Sequence, residues 1–159
     1  MISRRGPATL RCADVIGLPA VLASGRSAGR VVDVVFTAQG DRVAFLLLRG
    51  GPGGAPAAVP YADVAGLGPA AVRLRRAPGT HPGPGPKAGR AHAAALGSRV
   101  LDASGRDLGV VADVCFRPDG GVVAGYALSQ GLVGDVTEGQ AFLSLEALGG
   151  GGCVLGPPG

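Results

Sequence analysis

"ASGRSAGRVVDVVFTAQG", residues 23–40, returns eighty positions later as "ASGRDLGVVADVCFRPDG", residues 103–120, with ten of eighteen aligned residues identical and no gap. The phrase has strand chemistry. "SGR" turns the chain at Gly25 and Gly105, and Gly29 and Gly109 open a valine-rich run with period-two alternation. That alternation puts Val32, Val34 and Phe36 on one face, with Ala112, Val114 and Phe116 in the second copy. This shared set is the expected core face. The opposite face carries Val31, Asp33 and Val35, or Val111, Asp113 and Cys115. Glycine-centred hairpin turns follow, "AQGD" and "PDGG". A further strand comes next in each copy, "RVAFLLLR" or "VVAGYALSQ".

The repeat reaches past the phrase. At the same offset Gly17 meets Gly97 and Val43-Ala44 meets Val123-Ala124, and "DVAGLGPAAVRL" at 63–74 is loosely echoed by "EALGGGGCVLG" at 146–156. Between the copies lies "APGTHPGPGPKAGR", residues 77–90, in which eight of fourteen residues are Pro or Gly. Such a composition predicts an extended spacer without regular structure. The division is therefore residues 10–76, spacer 77–90 and residues 91–156. Five or so short strands per copy predict an all-β chain of two small antiparallel barrels in tandem, a shape that removes exposed sheet edges. A module this small buries too little surface to be robust alone, so the copies are expected to pack on each other about a pseudo-two-fold axis.

Composition bounds the rest. The chain has 159 residues, 47% of them hydrophobic, with 30 Gly, 13 Pro, 4% aromatics and no Trp, so its core is built from Val, Leu and Ala. The formal charge is +4. Fourteen of the fifteen basic residues are Arg, beside abundant Ala, Gly, Val and Pro, a bias that a GC-rich coding sequence produces. Apart from Arg4-Arg5 and the trio Arg73, Arg75 and Arg76, the basic residues are scattered, which argues against a dedicated phosphate-binding face. The N-terminus lacks the apolar stretch of a signal peptide, and "VAFLLL" is too short to cross a membrane. Both features predict a cytoplasmic protein that does not itself span a membrane.

The candidate binding residues are Arg26 and Arg106 at matching turn tips, Asp33 and Asp113 at matching places on an apolar strand face, and the trio Arg73, Arg75 and Arg76. Turn-tip arginines stand where binding residues are common. A carboxylate recurring on an apolar face reads first as an acceptor for backbone donors, and second as a partner contact or a cation ligand. Cys12, Cys115 and Cys153 are far apart, with no Cys/His pair at metal-ligand spacing. Cys115 replaces Val35 and reads as a small buried hydrophobe, and Tyr126, which replaces Leu46, as core or rim. His81 and His92 read as exposed loop residues. No Ser/His/Asp grouping, carboxylate pair or Walker-type loop is present, so no catalytic residue, cofactor or metal is assigned.

The order "IGLPAVLASGRSAGRVVDVVFTAQGDRVAFLLL … AVPYADVAGL … AVRL" resembles the PRC-barrel family. The features that carry the resemblance are Ile16-Gly17, "SGRSAGRVVDV" and "VPYADV". The second copy matches the first two with Leu96-Gly97 and "SGRDLGVVADV", but offers only "AFLSLEAL" for the third. The family is known for the cytoplasmic part of the photosynthetic reaction-centre H subunit and for the C-terminal domain of the ribosome maturation factor. The transmembrane helix of the one and the separate N-terminal barrel of the other are not seen here. The resemblance is thus to stand-alone PRC-barrel proteins of bacteria and archaea. It implies an adaptor that binds another protein or assembly, with RNA or ribosome association as the alternative.

Overall fold

Each copy of the repeated phrase becomes one long strand with two interruptions. In the computed structural model, which describes residues 9–51, 54, 56–78, 88–102, 104–129, 140–145 and 154–158, these are β3 (Ser27–Thr37) and β10 (Asp107–Phe116). β3 pairs with β4 (Val43–Arg49), and the register slips between Val31 and Asp33 and again between Val35 and Phe36. β10 pairs with β11 (Val123–Ser129) and slips at the equivalent places, Val111/Asp113 and Cys115/Phe116. An extra residue in a ladder reverses the alternation beyond it. The expected core face is corrected accordingly. Val34 and Phe36 are buried, but Val32 is 42% exposed while Val31 is 1% exposed. In copy two Val111, Val114 and Phe116 are buried and Ala112 is only partly so.

The first sheet adds β2 (Pro19–Leu22), β5 (Ala57–Pro60), β6 (Val64–Leu67) and β7 (Val72–Leu74), in the order β5-β4-β3-β2-β7-β6. The two ends of that order, β5 and β6, are joined by only the 3-10 turn Tyr61–Asp63. The sheet must therefore curl until its edges are a few residues apart. Along the order β5 and β6 point the same way, so the chain crosses between edges by a bend and not a hairpin. This has two consequences that differ from a simple antiparallel barrel. Among the described residues no ladder closes β5 onto β6, and β2 pairs with β7 in parallel. The second sheet adds β9 (Ser98–Leu101), β12 (Gln140–Ser144) and β13 (Val154–Pro158), in the order β12-β11-β10-β9-β13.

The halves exchange their leading segments. β1 (Leu10–Arg11) belongs by sequence to copy one but pairs with β10, through Leu10↔Phe116 and Arg11↔Cys115. β8 (Ala88–Ala91) pairs with β3, through Val35↔Ala91 and Thr37↔Ala88. The register Arg11↔Cys115 becomes Ala91↔Val35 when each member moves by the repeat offset, which is a two-fold relation. The same symmetry appears at the hairpins. Val43 donates to Gly121 O at 2.8 Å and Val123 donates to Asp41 O at 2.9 Å, around a bridge from Arg42 to Val122. Side chains of both copies merge into one buried cluster that includes Val34, Leu46, Val72, Val100, Val114 and Phe116. The last residues of the Pro/Gly stretch, from Ala88, are thus strand and not spacer: the open edge of β3 supplies the hydrogen bonds that local composition lacks.

Candidate functional site

After each exchanged strand comes a single-turn helix, α1 (Cys12–Val15) or α2 (His92–Ala95). Neither has a side-chain cap of its own, so its first N–H groups need acceptors from elsewhere. The recurring aspartates supply them across the axis. Asp33 Oδ1 accepts from Ala93 N at 3.2 Å, and Asp113 Oδ1 accepts from Ala13 N at 3.3 Å. Each also accepts from the next residue on its own strand, Val34 N or Val114 N, at 2.8 Å. The carboxylates therefore hold the swapped helices in place, in line with their reading as acceptors of backbone hydrogen bonds.

Inside this frame the repeat breaks its own symmetry. One helix turns Cys12 inward and the other, at the equivalent position, turns in His92; they are 0% and 4% exposed. His92 is thus no loop residue. Its Nε2 lies 3.0 Å from Asp113 Oδ1, and Asp113 is itself 3% exposed. Among the described residues Asp33 has no such partner, and it is half-buried. Donor atoms of Cys12, His92 and Asp113 all lie within 4.8 Å of one another. Burial on its own would raise the Asp113 carboxyl, but the His92 hydrogen bond and the two backbone N–H groups outweigh it and hold the group below the ordinary carboxylate range. Burial, then Asp113, Cys115 and Asp33, push the Cys12 thiol far up, so it stays protonated and is no nucleophile. Cys115, buried as expected, is pushed up to about 11, chiefly by burial and then by Asp113.

Sequence spacing hid this centre, because its members lie on three elements. The available signal was that a Cys and a His occupy the same repeat position. The other candidates lie elsewhere. Arg26 and Arg106 are exposed on the β2–β3 and β9–β10 turns. Asp102 organises the second turn by accepting from Ser104 N and Arg106 N, both at 2.9 Å, whereas copy one has Leu22 at that place. Arg73 lies exposed on β7 over Gly66. Arg75 Nε donates to Ala62 O at 3.2 Å, and Arg76 pairs with Asp63 at 3.3 Å, so two of the basic trio are tied to the 3-10 turn. His81 and Cys153 fall outside the described residues.

Tyr61, in the "VPYADV" stretch, crosses to the other copy. Its hydroxyl donates to Pro118 O at 2.6 Å and its ring meets Phe116 edge-on with centroids 6.1 Å apart. Burial and Asp119 push its hydroxyl up to about 12. Tyr126 is buried. The outer surface carries one exposed aromatic among the described residues, Phe142, 53% exposed on β12. β12 ends the strand order of the second sheet. The ring lies across Gly125, where a Cβ would come within 2.9 Å of Phe142 Cζ. No helix among the described residues is long and apolar enough to cross a membrane.

Compared with known protein families, residues 7–72 and 95–147 match the PRC-barrel domain. No curated protein matches the chain.

Proposed function

Because the chain belongs to the PRC-barrel family and carries two copies of its domain, we propose that it is a non-catalytic, cytoplasmic adaptor that binds another protein. The observation that carries this reading is Phe142. An aromatic ring that is 53% exposed on a strand ending a sheet offers an apolar contact to a bound partner. An extended partner segment can add itself to β12 and lay an apolar side chain on the ring, taking affinity from main-chain hydrogen bonds and specificity from the side chain.

The test is affinity capture with the whole chain from its native cell, beside F142S. Substituting an exposed residue should leave the melting temperature unchanged. Truncating a central aromatic anchor costs roughly 2 kcal/mol or more, which is more than tenfold in affinity. A captured protein retained equally by F142S overturns the reading. RNA or ribosome association is the weaker alternative, because Arg75 and Arg76 are engaged within the fold and Asp63 offsets the latter. Retention on ribosomes that falls steeply with salt and is lost on substituting Arg73, Arg75 and Arg76 would favour it.

A further inference from the structure

We propose that Cys12, His92 and Asp113 form a site for one divalent transition-metal ion of the zinc type, held at the pseudo-two-fold axis between the halves.

The donor set is the first ground. A thiol, an imidazole and a carboxylate together suit zinc and its neighbours and are poor ligands for magnesium or calcium. Donors around a tetrahedral zinc ion stand roughly 3.3 to 3.7 Å apart, given metal–ligand distances of about 2.0 to 2.3 Å. The three atoms here already lie within 4.8 Å of one another, and two of them are 3.0 Å apart. Small side-chain adjustments would therefore suffice.

The second ground is where the trio lies. His92 and Asp113 are two of only three buried polar or charged residues among the described ones, in a core made mostly of Val, Leu, Ala and Phe. Asp113 is accounted for by its two backbone donors, but they do not require His92, and buried polar pairs are often replaceable by apolar residues without loss. The carboxylate is also pre-positioned, since it accepts backbone hydrogen bonds from Ala13 of one half and Val114 of the other. Hydrogen bonds to a ligand in this way orient it toward the ion.

The third ground is the pattern of divergence. Cys12 and His92 occupy one repeat position and Val35 and Cys115 another, and each departure from symmetry puts a ligand-type side chain beside Asp113. The second aspartate, Asp33, accepts from Ala93 N and stands outside the trio. A homodimer would have to carry the same residue on both sides of its axis, and covalent linkage of the copies removes that requirement. Binding releases the Cys12 thiol proton to solvent, and the Nε2 proton that His92 donates to Asp113 is given up as the neutral ring takes its proton on Nδ1, so that Nε2 can donate a lone pair to the ion. The thiolate and the Asp113 carboxylate then balance the two charges of the ion.

The experiment uses the full chain in a C153S background, stripped with a chelator and titrated with Co²⁺. The expected result is one equivalent bound per chain, with a thiolate-to-cobalt charge-transfer absorption that Zn²⁺ displaces. C12S should lose the absorption, H92Q and D113N should weaken binding at least tenfold, and D33N should retain it. Circular dichroism checks that each variant is folded, and a rise in melting temperature on adding Zn²⁺ to the parent but not to C12A gives a second readout. Absence of stoichiometric binding to the folded parent, or a charge-transfer band that survives in C12S, overturns the proposal.

Discussion

Asp33 and Asp113 share a repeat position but differ in what they risk. Loss of either carboxylate strips an acceptor from one strand N–H and one helix N–H. At Asp113 the strand donor is shut away from water and the helix donor partly so, and an unsatisfied buried group costs about 1 to 3 kcal/mol. At half-buried Asp33 water can take the vacated place. D113A should therefore lower stability in urea denaturation, measured with chelator present, by clearly more than D33A. Equal losses would mean that the difference in burial does not set the cost. The role of these residues as backbone acceptors was legible in sequence, because a carboxylate recurring on an apolar strand has few other uses. Their partners were not, since Ala13 and Ala93 donate through the main chain, which leaves no mark on residue type. His92 misled for a related reason: the spacer's composition next to it says nothing about an edge of β3 that lies far away in sequence.

The bulge on each long strand sets which valines are inside. V31D should unfold the protein or come close to it, because it buries a charge at a site that is 1% exposed, whereas V32D should change stability by less than about 0.5 kcal/mol. Thermal melts of the two variants check this, and the reverse order would restore the simple alternation. Gly29, at φ 111°, is the third residue of β3, and a Cβ there would lie 2.5 Å from Arg49 O. G29A combines backbone strain with that clash and should cost on the order of 1 to 3 kcal/mol. Strands, hairpins and glycine bends were readable because each depends on local chemistry. The bulge was not: it adds one residue to a ladder, and one residue is invisible to a periodicity counted over six. Parallel pairing of β2 with β7 was hidden likewise, since it follows from how the bend at Tyr61–Asp63 carries the chain between sheet edges.

At the scale of the molecule the exchanged segments decide what each half can do alone. β3 is completed by β8 and α2, and β10 by β1 and α1. A fragment of residues 1–76 would leave its long strand uncovered and its own α1 without Asp113. It should not persist as a monomer with the parent's melting temperature. Analytical ultracentrifugation is expected to find it self-associated, with each copy's α1 offered to the other's Asp33. A well-behaved monomer would rule out the exchange as a source of stability. The exchange also changes what a cut would do. A protease that severed the link between the copies would give two polypeptides still laced through each other by β1 and β8. They would elute together under native conditions and part only in denaturant, so an intact mass by gel filtration is no proof of an unbroken chain.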